Sequence, residues 1–210
     1  RASGSGAGCG NHWPLCNGQV IPQSPTLHTI VELTHRVTSG VALLFVVALV
    51  VGTRRGFAPG HRARAAAVAA MVLMLVEAGI GAGLVKFELV AHNASMARAW
   101  SLAAHLVNTQ LLLGAIALTG WWSAGHPAIR LRGRAWWVVA GLLGLMVVGT
   151  TGAIVSLGDT LFPATSLQAG LAQDQDPAAH PLIRLRVWHP LLAITIGSGL
   201  LVLSLVAPKW

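Results

Sequence analysis

Ile30-Val-Glu-Leu-Thr-His-Arg-Val-Thr-Ser-Gly40 sets a carboxylate, an imidazole and a guanidinium side by side at Glu32, His35 and Arg36, and an apolar run then continues to Val51. Residues three and four apart share a helix face, so the spacing predicts one polar cluster at the head of an otherwise lipid-compatible helix. An ionisable group costs about 2.5–3.5 kcal/mol at mid-bilayer and less near the interface, so such groups normally face a bundle interior and mark a site. Composition agrees that this helix crosses a membrane. Of 210 residues, 54% are hydrophobic and 10% charged, where a soluble domain carries about a quarter charged residues. The mean hydropathy is +0.67.

Five apolar spans follow from the same reading: Thr29–Gly52, Ala65–Phe87, Trp100–Trp122, Trp136–Leu157 and Val187–Ala207. Each has about 20 residues, enough to cross ~30 Å of hydrocarbon at ~1.5 Å per residue. The expected fold is an all-α, polytopic transmembrane helical bundle. The net charge of +8 does not argue for nucleic acid, because the arginines cluster in short loops. Arg54, Arg55, Arg62, Arg64, Arg130, Arg132, Arg134 and Lys209 fall on one side. Arg1, Lys86, Arg98, Arg184 and Arg186 fall on the other, mixed with Glu88, Asp159, Asp174 and Asp176. The positive-inside rule makes the first side cytoplasmic. The loop holding Cys9 and Cys16 is then external, with the connections after the second and fourth spans. Tryptophans at the span ends (Trp100, Trp121, Trp122, Trp136, Trp137, Trp188, Trp210) suit the interface. Leu182-Ile-Arg-Leu-Arg-Val-Trp188 alternates charge with apolar groups and reads as a strip on the membrane surface. Small residues at Ala78–Gly83 and at Gly149, Gly152 and Ala153 read as points of close helix approach.

Three of the nine histidines, His35, His105 and His189, fall inside spans, each within two turns of the external surface. Imidazoles at one depth on facing helices are a common way to grip haem iron; the plainer reading is histidines bonded to neighbouring helices. Pro190 requires a helix start or kink at His189. His28 shares a face with Glu32 and His35. Of the external histidines, His12 has the best claim, since it lies inside the cysteine loop. Cys9 and Cys16 enclose six residues. They read either as a staple, worth about 2.5 kcal/mol in the chain-entropy model, or as a redox pair; a metal site would lack a fourth ligand. Glu77 is the second carboxylate within a span, open to pairing with a histidine or Arg36, or to proton transfer.

Five stretches together resemble the haem A synthases: Gly4-Ser-Gly-Ala-Gly-Cys-Gly-Asn-His-Trp-Pro-Leu-Cys-Asn-Gly18, Glu32-Leu-Thr-His-Arg-Val-Thr-Ser-Gly40, His105-Leu-Val-Asn-Thr109, Gly152-Ala-Ile-Val-Ser-Leu-Gly-Asp-Thr-Leu-Phe-Pro163 and His189-Pro-Leu-Leu-Ala193. They run in the family's order from one end of the chain to the other. The resemblance implies oxidation of the C8 methyl of haem O to a formyl group, giving haem A for terminal oxidases. It implies an eight-helix architecture of two similar four-helix halves, with five spans in this chain. Residues 1–122 correspond to the first half without its first helix, 123–135 to a cytoplasmic linker and 136–210 to part of the second half. One helix is then expected before Arg1 and two after Trp210.

In the first half, the resemblance assigns His35 and His105 to one haem, taken as the substrate haem O, and a catalytic, proton-handling role to Glu32. It assigns His189 to a second haem, haem b, whose partner ligand lies outside this chain. The Cys9–Cys16 pair is expected as a disulfide, relaying reducing equivalents or stabilising the fold. No separate non-haem metal is expected. Expected partners are haem O, haem A and the lipid bilayer, with haem O synthase, an electron donor and a second copy of the chain as candidates. The expected location is a bacterial cell membrane, with the cysteine loop and the ligand ends of the helices periplasmic. The competing functions are a di-haem b-type electron-transfer cytochrome, which would use the same imidazoles, and a haem-free transporter or assembly factor.

Overall fold

A computed structural model describes residues 7–130 and 135–206. Arg1, Arg132, Arg134, Lys209 and Trp210, used in the topology reading, lie outside the described residues, as does Gly4-Ser-Gly of the first motif. The chain divides into two compact units, Arg1–Ala128 and Ile129–Trp210. The described residues contain helices and no named strand; Cys16 and Gln19 form one isolated bridge. Five helices are long and apolar enough to cross a membrane, and the protein is a multi-pass membrane protein.

In the first unit α1 (Leu27–Gly56), α2 (Arg62–Lys86) and α3 (Met96–Ser123) run up, down and up. They extend past the apolar windows because hydrogen bonds, not hydropathy, end a helix. Thr26 caps α1 by accepting from the Thr29 N–H at 3.2 Å, His61 Nδ1 caps α2 at Ala63, and Ser95 caps α3 at Arg98. Arg54 and Arg55 occupy the last turn of α1, where cations suit the helix dipole.

α2 packs along α3 most extensively and against α1 second; α1 and α3 meet mainly through α2. The alanines of the inner half of α2, Ala63, Ala66, Ala67 and Ala70, are buried. Ala70 joins Val46, Leu112 and Ala115 in a cluster flanked by Met71, Leu73, Met74 and Ile116. The glycines of the outer half behave differently from expectation. A Cβ at Gly79 or Gly81 would meet no described atom within 4 Å. The close approach on α2 is therefore made by alanines lower down, and its outer glycines border open space.

In the second unit α4 (Ala135–Leu161) packs against α7 (Trp188–Val206). Three glycines of α4 receive α7 directly: Gly141 faces Leu200, Gly144 faces Ile196 and Gly152 faces His189. Between the two helices lie α5 (Leu167–Gln175), α6 (Pro181–Arg184) and a 3₁₀ turn at Leu185–Val187. The segment read as a surface strip is partly tucked in instead. Leu182 is fully buried with its carbonyl over Gly158, and Ile183 is buried beside it. Arg186 explains the tuck. Its guanidinium donates to the carbonyls of Gly158 (3.0 Å) and Phe162 (2.7 Å) at the end of α4 and pairs with Asp159 at 2.9 Å. A cation on the last carbonyls of a helix satisfies acceptors that have no partner within it.

Candidate functional site

The end of the first unit that carries the cysteine loop holds two polar clusters, each built around a carboxylate. The first joins the cysteine loop to α1. Cys9 and Cys16 form a disulfide, and both are buried. Glu32, 7% exposed, accepts the Cys9 N–H at 2.8 Å through one oxygen and pairs with Arg36 at 2.5 Å through the other. The guanidinium of Arg36 also donates to the carbonyls of His12 and of Leu15, the latter at 2.6 Å. Thr29 Oγ1 donates to the Gly8 carbonyl at 2.9 Å. A Cβ at Gly8 would stand 2.2 Å from the His28 carbonyl oxygen, so only glycine lets the loop lie this close to the first turn of α1. Trp13–Pro14 is cis within the loop. Of the cluster predicted at Glu32, His35 and Arg36, Glu32 and Arg36 pair, with the loop as the third member, while the His35 side chain is exposed.

The second cluster lies in the seam between α2 and α3. Glu77 Oε1 is 3.1 Å from His105 Nδ1 and accepts from the Thr109 hydroxyl. Its Oε2 accepts from Asn108 Nδ2 at 2.5 Å. The same amide nitrogen donates to the Leu73 carbonyl at 2.9 Å, which fixes which way the Asn108 amide faces. Of the partners left open for Glu77, the structure selects a histidine, and that histidine is His105.

His35 lies on α1 eight residues, about 12 Å, after its start, and His105 on α3 nine residues, about 14 Å, after its start. The His35 side chain is exposed; its carbonyl accepts from Thr38 and Ser39. At the rim, a hollow of about 470 Å³ lies between the loop at Gly10 and Asn11 and the α2–α3 turn at Glu88 and Ala91. That turn is pinned by Arg98, buried at the start of α3, which donates to the carbonyls of Ala91 and Asn93.

His189 opens α7, with Pro190 in the first turn, where its missing N–H leaves no bond unmade. α7 follows the 3₁₀ turn at Leu185–Val187 without a break, so the proline stands just after a change of helix form. His189 Nδ1 is 3.1 Å from Thr151 Oγ1, and its ring edge lies over Gly152. His28 and His12 are exposed; their carbonyls face Gly8 and Arg36 respectively. Among the described residues no group of three or more His, Cys, Asp or Glu is arranged to hold a bare metal ion. Sequence reasoning missed Asn108, Thr109, Gly8 and the buried Arg98. The first two carried a signal, being polar residues three and four after His105 on an apolar helix.

Comparison with known proteins agrees with the early resemblance. A protein of Thermus thermophilus named protoheme IX farnesyltransferase is 48% identical over 200 residues, covering 94% of this chain and 33% of that protein. The chain thus spans about a third of that relative's length. The heme A synthase of Halalkalibacterium halodurans is 28% identical over 98% of this chain and 67% of its own length. That of Alkalihalophilus pseudofirmus is 39% identical over 85 residues, 40% of this chain and 29% of its own length. No solved structure matches. The COX15-CtaA family, described as cytochrome oxidase assembly protein, matches residues 1–209, and with the fold and the histidine pattern already in place the chain belongs to that family.

Proposed function

We propose that this chain carries the substrate-haem site of a haem A synthase, the enzyme that converts the C8 methyl of haem O to a formyl group. The observation that supports this most is the matched depth of His35 and His105 on two helices that flank α2 without packing closely on each other. A flat macrocycle held edge-on between α1 and α3 would take one imidazole from each and use the open space beside Gly79 and Gly81. In this reading His35 and His105 hold the iron of the haem under oxidation, and His189 on the second unit offers one ligand to haem b. The bound haem supplies the redox chemistry.

The protein's own groups bind, orient and shield. The loop closed by Cys9–Cys16 sits over the head of α1, one turn above His35. Glu32 fixes that loop through the Cys9 N–H and holds Arg36. Proton handling by Glu32 would need one of those two bonds to loosen, which couples it to the seating of the loop. Haem O synthase suits the reading as a partner. A relative named for farnesyl transfer to protohaem contains a segment 48% identical to this chain within a protein about three times as long. The cysteine loop and the ligand ends of the helices are proposed to face the outside of a bacterial cell membrane.

The test is pigment extraction and a visible spectrum on the full-length protein expressed with haem O synthase. Haem A, or a haem hydroxylated on the same methyl, is the expected product. Haem B alone would point to an electron-transfer cytochrome, and a preparation without a Soret band would remove haem from the account. Glu32→Gln keeps an acceptor for the Cys9 N–H while giving up the ion pair; undiminished haem A production by it would exclude a proton role.

A further inference from the structure

We propose that Glu77 is the positioning residue for His105, fixing the ring's tautomer and orientation and strengthening it as an iron ligand. The inference rests on the reading of His105 as a haem ligand and adds a residue and a function to it. A carboxylate on an apolar helix is costly unless its oxygens are bonded. Here α3 supplies the partners: Asn108 Nδ2 donates to Oε2 and the Thr109 hydroxyl to Oε1, and Oε1 also stands 3.1 Å from His105 Nδ1, a charge contact outside hydrogen-bond alignment. Asn108 is held in turn by the Leu73 carbonyl on α2, through the second proton of its amide nitrogen, and the single Thr109 hydroxyl proton lies between Glu77 Oε1 and the His105 carbonyl. Both oxygens therefore have fixed directions, and the oxygen facing the imidazole is not free to swing away.

An acceptor at Nδ1 selects the tautomer with its proton there, so the ring presents its lone pair at Nε2, the nitrogen a haem iron would take. Metal-bound histidines commonly donate their other ring N–H to a carboxylate or a backbone carbonyl. That partner raises ligand basicity, and its loss typically lowers metal affinity about 10–100-fold. Among the described residues no carboxylate is bonded to His35: its side chain is exposed, and Glu32, three residues before it, is engaged by Cys9 and Arg36. The pair of ligands is accordingly unequal, one braced by a carboxylate and one not.

The test uses the full-length, haem-loaded protein and compares Glu77→Gln, Glu77→Asp, His105→Ala and Leu112→Ala. Haem dissociation, the reduction potential and the low-spin ferric EPR spectrum are measured on each. In Glu77→Gln, dissociation should rise about 10–100-fold. Its reduction potential should move upward, because a less basic imidazole stabilises ferric iron less, and its EPR g-values should shift. Glu77→Asp should fall between it and the wild type. Leu112→Ala loosens the same seam without touching the carboxylate, and should lower the melting temperature while leaving the spectrum unchanged. Wild-type dissociation, potential and spectrum in Glu77→Gln, with the signal lost in His105→Ala, would overturn the positioning role and leave the ligand reading standing. A full haem signal in His105→Ala would overturn both.

Discussion

Glu32 and Glu77 invite direct comparison. Each is an acid on an apolar helix toward the cysteine-loop end of the first unit, and each had a histidine as a candidate partner. In sequence Glu32 is the one beside a histidine, three residues before His35. In space Glu32 turns to the cysteine loop and Arg36, and Glu77 meets His105, 28 positions away along the chain. Adjacency on one helix defines a shared face, but a neighbouring element decides what that face contacts. Glu32 fixes a covering loop; Glu77 braces a ring.

The comparison breaks most visibly at Glu32. Removing one member of a buried ion pair costs about 3–5 kcal/mol. Glu32→Ala should lower the melting temperature in detergent and open the cysteine loop to protease, while the EPR signature tied to His105 stays as in the wild type. If the loop remains protected, Glu32 does not seat it. Replacing Cys9 and Cys16 together with serine should cost about 2.5 kcal/mol for an eight-residue ring, again exposing the loop without altering the α2–α3 seam. Limited proteolysis with mass mapping would show whether cleavage stays within residues 9–16.

Gly8→Ala tests the seat from the other side. A Cβ 2.2 Å from the His28 carbonyl oxygen forces the loop off α1, at about 1–3 kcal/mol for overpacking. The expected readout is faster hydrogen exchange at the Cys9 amide, which loses Glu32. The smallest effect belongs to the seam. Thr109→Val removes one hydrogen bond to Glu77 and should cost about 1 kcal/mol, read as a small fall in melting temperature. A fall as large as that of Glu32→Ala would show that the seam, rather than the loop, carries the unit's stability.

Much of this was legible because lipid imposes its own pattern. Five runs of hydrophobic residues gave five helices, and the spacing of Glu32, His35 and Arg36 gave a polar cluster of which Glu32 and Arg36 pair and His35 stays exposed. Other features needed tertiary contacts. Which carboxylate meets His105 depends on how α2 rotates against α3, and that is set by Ala63, Ala66, Ala67 and Ala70 as much as by Glu77. The glycine runs of α2 and α4 look alike on paper, yet only those of α4 receive a partner. Leu182–Trp188 alternates like an interfacial strip, but the Arg186 grip on Gly158 and Phe162 overrides the pattern.

The grip of α1 on the cysteine loop has a consequence for mutational tolerance. Glu32 and Arg36 hold the loop by its backbone, at the amide of Cys9 and the carbonyls of His12 and Leu15. Asn11, Trp13 and Leu15 are exposed, and none of these backbone bonds involves their side chains. The perch is therefore indifferent to what the loop displays, and those three positions can be rewritten, for a label or a crosslinker, without unseating it.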